Sequence, residues 1–132
     1  MKAIVKSKDE RGLWMEERPI PEIGDCDLLI KVNKASICGT DLHIYTWDEW
    51  ASNTIPISTT IGHEFCGTIV KMGRAVEGFS INDRVAGEGH ISCGKCRNCR
   101  TDKRHLCHQT EAIGITRNGA FAEYISLPAS NA

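Results

Sequence analysis

The stretch "DLLIKVNKASI", Asp27 to Ile37, decides the fold, because its apolar and polar residues alternate. Leu28, Ile30 and Val32 fall on one face and Lys31 and Asn33 on the other, the period-two pattern of a half-buried β-strand. Outward from it the same grammar repeats. "KAIVKS" and "LWMEER" precede the breakers Pro19, Pro21, Gly24 and Asp25, while "GTIVKM" and "DRVAGE" are bracketed by Gly73, Gly78 and Asn82-Asp83. Asn118-Gly119 is a turn signal ahead of the strand-like "AFAEYISL". Only two segments read as helical, a short one after Gly39 and a polar one from Asn98 to Leu106. Many short strands at close spacing predict a mainly β chain, a small barrel or sandwich with short helices.

The totals narrow the class of function. The 132 residues suffice for one domain. Sixteen basic residues against seventeen acidic ones give a formal charge of −1, which argues against a nucleic-acid or membrane-surface binder. No apolar run approaches the roughly 18 residues of a spanning helix. The opening "MKAIVKSKDERG" carries charges where a secretion signal has its apolar stretch, so a soluble, cytoplasmic chain is expected. No strand–turn–helix unit carries G-x-G-x-x-G. Gly87-Glu88-Gly89 lacks the third glycine and the helix, so no dinucleotide fold is expected within the chain.

Seven cysteines in such a chain point to metal or catalysis rather than disulfides. "CGKCRNCRTDKRHLC" sets Cys93, Cys96, Cys99 and Cys107 at C-x2-C-x2-C-x7-C, a lobe spanning residues 93–107. Such arms close a tetrahedral cage around zinc, and four thiolates leave no open position, so the role is structural. Lys95, Arg97, Arg100, Lys103 and Arg104 would compensate the negative charge of the cage. An iron–sulfur electron carrier prefers a last gap of three followed by proline, whereas here the gap is seven and His108 follows. A nucleic-acid-binding ribbon would need basic excess and a stacking platform, and four unliganded thiols do not account for the spacing.

A second group lies nearer the N-terminus. Cys38 follows the strand-like stretch and precedes Gly39, and "GHEFCG" supplies His63 and Glu64 at another turn-to-strand boundary. Cysteine, histidine and carboxylate can hold zinc with one position left for substrate. The plainer alternatives are a core cysteine and a histidine satisfied by a backbone carbonyl. Thr40 and His43, three apart at the start of a helix, share one face and can pass a proton outward. The alternative is a capping threonine beside an idle, exposed histidine.

Cys38-Gly39-Thr40-Asp41-x-His43, then Gly62-His63-Glu64 with Gly67, then the four-cysteine lobe, resembles the zinc-dependent medium-chain dehydrogenases along essentially the whole chain. The continuation Tyr45-x-Trp47-Asp48-Glu49-Trp50 is one that ordinary alcohol and polyol dehydrogenases usually lack. The resemblance implies a GroES-like β-barrel domain in which Cys38 and His63 bind a catalytic zinc ion and Glu64 is an adjacent, exchangeable ligand. It implies a structural zinc at Cys93, Cys96, Cys99 and Cys107. Thr40 and His43 would form a proton relay, with a cofactor ribose hydroxyl between them. The implied reaction is NAD-dependent oxidation of a small secondary hydroxyl, with His90 in "GEGH" as a substrate-pocket residue or, equally, a loop surface group.

The resemblance also implies a Rossmann domain and a further zinc ligand downstream of residue 132, so the chain reads as a truncated catalytic domain, 1–132, that binds metal but does not turn over alone. A homotetramer is implied for the longer enzyme. Asn82 stands where the family commonly has glycine. Cys26 and Cys66 have no assigned role, although Cys66, two residues beyond Glu64, could compete for metal. The rival readings are a polyol or secondary-alcohol dehydrogenase with the same zinc machinery, and a non-catalytic zinc-stabilised GroES-like module.

Overall fold

In the computed structural model, which describes all 132 residues, Asp27–Ser36 is a ten-residue strand, β3, at the centre of a four-stranded antiparallel sheet. Its neighbours are β5 (Glu64–Met72) on one side and β9 (Tyr124–Pro128) on the other, with β6 (Arg84–Ala86) beyond β5. Leu28 and Ile30 are fully buried and pack with Phe65, Ile69, Ile125 and Leu127 in the main core. Each such side chain contributes roughly 1.5–3 kcal/mol on leaving water. The alternation is less clean than the sequence suggests, because Leu29, on the opposite face, is buried as well. The register with β5 shifts between Leu29 and Ile30 and between Val32 and Lys34, and β3 is exposed from Asn33 onward.

A second sheet is built from β1 (Lys2–Lys6), β2 (Trp14–Glu17) and β4 (Thr59–Thr60) in the order β2-β1-β4. Two helices cover it. The first, α1 (Gly39–Thr46), was expected, but α2 (Glu49–Thr54) was not. Asp48 caps α2 by accepting the Ala51 N–H at 2.9 Å, a legible start signal in Asp48-Glu49-Trp50-Ala51. Ile44 and Ala51 from these helices join Ile55 and Ile61 in a separate core cluster.

The segment after Asn118-Gly119 does not fold back as a hairpin. Asn118 Oδ1 accepts the Thr60 N–H and the Gly119 N–H donates to Thr60 O, so the chain docks beside residues 60–62 and β9 starts only at Tyr124. Phe121 O accepts the Ile4 N–H and Glu123 O accepts the Val32 N–H. Residues 118–123 therefore stitch the two sheets together, which gives the barrel-like closure.

Lys6 is completely buried between the sheet and the end of α1. Its ammonium donates to the carbonyls of Glu10 and Gly12 and lies 4.0 Å from the Trp47 ring centroid. Burial, partly offset by Glu10 and Asp9, draws its pKa below the ordinary lysine value.

The remaining strands are β7 (His90–Ile91) and β8 (Glu111–Ala112), which pair with each other and have the lobe between them, and a 3-10 turn at Ala129–Asn131 follows β9. The expected polar helix is two pieces, α3 (Arg97–Arg100) and a 3-10 turn at Arg104–Leu106, broken where Asp102 adopts φ 60°. Asn82, the departure from the family's glycine, sits at φ 77°, a left-handed conformation asparagine tolerates. No doubly wound sheet is present, and no helix is long and apolar enough to cross a membrane.

Candidate metal centres

The β3–β5 register builds the first centre. Ser36 pairs with Glu64 at the end of the ladder, and just beyond it Cys38, two residues after Ser36, comes close to His63, the residue before Glu64. Ser36 Oγ donates to Glu64 Oε2 at 2.7 Å and holds that carboxylate at the rim. The Cys38 N–H donates to Asp41 Oδ2 at 2.9 Å, fixing Cys38 as the residue that caps α1. Ligand atoms of Cys38, His63 and Glu64 all lie within 4.8 Å of one another. Small side-chain rotations would close that span onto one zinc ion, with three protein ligands and one open position.

Asp41 adds what the sequence reading missed. Its carboxylate is buried, and Oδ1 lies 3.8 Å from His63 Nδ1. Both atoms are buried and neither has a hydrogen-bond partner, so at 3.8 Å they face each other as a charge contact and not as a hydrogen bond. A carboxylate behind one ring nitrogen orients the imidazole and leaves the other, Nε2, as the ligating atom. The pairing fits a metal-binding histidine and gives no purpose to a histidine that merely fills space. The local signal was an acidic residue three positions after the helix-capping Cys38, in a place too apolar to leave a carboxylate unpaired.

The backbone beneath His63 is held by glycine. Gly62, at φ 90°, Gly114 and Gly119 are stacked so closely that a Cβ on Gly119 would lie 2.1 Å from Gly62 O. Carbonyl and amide groups of three loops thereby meet directly below the ligand.

Beside the centre, Thr40 Oγ1 is 3.8 Å from Cys38 Sγ. Thr40 and His43 line one small hollow of about 250 Å³ with Asp48 and Trp50. His43 Nδ1 is bonded to Asp48 Oδ2, and its ring meets Trp50 edge-on with centroids 6.1 Å apart. The Ala51 N–H first, and His43 second, hold the Asp48 carboxyl below its usual range. His90 stands elsewhere, with Glu88, Ser92, Arg104 and His105 around a polar cleft of about 440 Å³. Its Nδ1 lies 2.8 Å from Glu88 Oε1, and its backbone and ring together lower the Glu88 pKa. Cys66 faces a groove with Lys34, Thr68 and Arg84 and is outside the Cys38 cluster, and Cys26 is exposed.

The second centre is the lobe. Cys96 Sγ lies 3.5 Å from Cys99 Sγ and 4.0 Å from Cys107 Sγ, and Cys93 Sγ lies 3.9 Å from Cys99 Sγ. A tetrahedron with zinc–sulfur arms of about 2.3 Å has edges of about 3.8 Å; these separations match it, and all four sulfurs lie within 4.8 Å of one another. Backbone N–H groups of Cys93 and Gln109 donate to Cys107 Sγ, and that of Cys96 donates to Cys93 Sγ. Lys95, Arg97, Arg100, Lys103 and Arg104 are all exposed, and none is paired with a carboxylate. They are free to offset the charge of a thiolate cage.

Those N–H donors draw the Cys107 thiol down to about 6, whereas burial pushes Cys99 up to about 11. In the free lobe Cys107 is therefore the thiol that gives up its proton most readily, and Cys99 the one that keeps it longest. Zinc uptake at pH 7 is expected to release the Cys99 proton. Affinity falls as the pH drops, more steeply below about 6, where Cys107 also takes up a proton that zinc must displace. Zinc titration calorimetry in buffers of different ionisation enthalpy measures both. A proton release that does not grow below that pH would contradict the assignment.

Four-thiolate lobe, three-ligand cluster and two-sheet barrel together define a class. The alcohol dehydrogenase GroES-like domain profile matches residues 24–132, and the chain belongs to that family. Among curated proteins it is 58% identical, over all 132 residues, to the L-threonine 3-dehydrogenase of Alteromonas mediterranea, covering 39% of that protein. The chain thus spans about two-fifths of the length of such relatives. Among solved structures, a zinc-binding dehydrogenase from Sinorhizobium meliloti bound to NADP superposes with a TM-score of 0.88 at 39% identity, over 98% of this chain and 36% of that one. An alcohol dehydrogenase from Escherichia coli complexed with NADH gives 0.87 at 37% identity, over 99% and 37% respectively.

Proposed function

We propose that the chain is the zinc-binding, N-terminal catalytic portion of an NAD-dependent L-threonine 3-dehydrogenase, which oxidises L-threonine to 2-amino-3-oxobutanoate. The observation that carries the reading is the open Cys38–His63–Glu64 cluster with the Thr40 hydroxyl beside it. The substrate rests on the 58% identity to an L-threonine 3-dehydrogenase over all 132 residues of this chain, and on "ICGTDLHIYTWDEW", "NTIP", "GEGHISCGKCRNCR" and "PASNA", which look most like those enzymes.

Zinc held by Cys38, His63 and Glu64 would act as a Lewis acid on the substrate's secondary hydroxyl. NAD, bound by residues outside this chain, would accept the hydride. Within the chain, Asp41 keeps the His63 ring oriented and Ser36 steadies Glu64. Thr40 accepts the proton leaving the hydroxyl and passes it outward to His43, whose exposed ring delivers it to water. The four-cysteine lobe has no open position and takes no part in the chemistry.

Joining this chain to the cofactor-binding remainder of the Alteromonas mediterranea enzyme and comparing substrates tests the proposal. L-threonine is expected to reduce NAD far faster than sorbitol or butanediol do. Preference for either of those would transfer the assignment to a polyol or secondary-alcohol dehydrogenase. A hybrid that binds NAD and two zinc ions but oxidises nothing, and is indifferent to Cys38→Ser, would point to a non-catalytic module.

A further inference from the structure

We propose that Asp48 is a positioning residue for His43: it holds the imidazole in the Nδ1–H tautomer, so that Nε2 stays free as the proton-accepting nitrogen. The inference rests on the relay role proposed above for Thr40 and His43, which leaves open how an exposed histidine is prepared for it. A continuous helix would not bring residues five apart into contact. Here Trp47, at φ 59°, ends α1 and turns the chain so that Asp48 faces back onto His43. The turn is clamped on three sides. The Trp47 N–H donates to His43 O at 2.9 Å, its indole Nε1 donates to Asp9 Oδ1, and the buried Lys6 ammonium lies over its ring.

The two oxygens of Asp48 are both committed. Oδ1 accepts the Ala51 N–H at 2.9 Å, and Oδ2 meets His43 Nδ1. An ionised carboxylate accepts and cannot donate, while a neutral imidazole has one donor and one acceptor nitrogen. The proton must therefore sit on Nδ1. The Ala51 N–H and the histidine itself keep Asp48 ionised, which preserves this polarity. Trp50, edge-on to the ring, limits its rotation. The Trp-Asp-Glu-Trp segment thus has a joint purpose, to turn, cap, bond and flank.

Ring-nitrogen NMR shifts of the histidine-labelled, zinc-loaded chain test this without substrate or cofactor. His43→Gln identifies the signal by its loss. Unaltered neutral His43 is expected to carry its proton on Nδ1. In Asp48→Asn, Oδ1 still caps Ala51 while the amide NH2 donates to Nδ1, which sends the proton to Nε2. The tautomer ratio is expected to change about tenfold or more, as a charge-assisted hydrogen bond warrants. Asp48→Ser keeps a cap but is too short to hold the ring, so its ratio relaxes towards that of a free imidazole. An Nε2–H tautomer in the unaltered chain, or an unchanged ratio in Asp48→Asn with α2 still formed, overturns the proposal. A merely structural Asp48 would alter stability and leave the tautomer alone. Failure of threonine oxidation in the hybrid enzyme would not touch this result, so the two readings fail separately.

Discussion

Cys107→Ser is expected to cost the chain one zinc ion and to unfold residues 93–107, while both sheets remain intact. The lobe has almost no core of its own. Within residues 93–107 only Cys99 and Cys107 are buried, and Leu106 is exposed. Metal takes the place of apolar packing there, and in small zinc domains the ion supplies apparent binding energies of about 10–16 kcal/mol at neutral pH. Serine replaces the thiolate ligand with a shorter, neutral hydroxyl, which accepts the Cys93 and Gln109 N–H groups less well than the charged sulfur does. Two measurements check this. Zinc per chain is expected to fall by one ion, and trypsin is expected to cut rapidly at the exposed Lys95, Arg97, Arg100, Lys103 and Arg104 once the cage no longer holds their backbone folded. An unchanged zinc content with an unchanged digest would remove the case for a structural metal.

Gly119→Ala is expected to be as damaging, by a different route. The added methyl would lie 2.1 Å from Gly62 O, 2.6 Å from Gly114 Cα and 2.7 Å from Ile61 O. These are backbone atoms of segments already bonded to residues 117–121, so no flexible side chain can yield. A cost of about 3 kcal/mol or more is expected, at the upper end of overpacking penalties. Because Gly62 precedes His63, relief of the clash must shift the ligand. Denaturant titration should show the destabilisation, and zinc at the open centre should weaken by more than zinc in the lobe. Equal weakening at both would mean that the glycine stack supports the fold and not His63 in particular.

Most of the architecture was legible because it follows from short-range rules. The alternation from Leu28 to Val32 gave β3, and the C-x2-C-x2-C-x7-C spacing gave the lobe, since both depend on neighbours in sequence. What escaped depended on long-range contact. Asn118-Gly119 has hairpin chemistry, yet its donors and acceptors are taken by Thr60, far away in the chain. The helix α2 has only six residues, too few to show an apolar period, and its one local signal is the capping Asp48. The strand register that sets Ser36 opposite Glu64, and the buried Asp41 behind His63, could not be seen without the fold.

Lys6 has a use beyond its packing. Every other lysine of the chain is exposed, whereas Lys6 is fully covered, bonded to two carbonyls and shifted downward in pKa by burial. An amine-reactive reagent will therefore modify the surface lysines at once and reach Lys6 only when the first hairpin lifts away from the end of α1. The lag between the two reactions is an internal clock for that opening. It runs on unaltered protein, and its rate reads how firmly the turn that presents Asp48 to His43 is held shut.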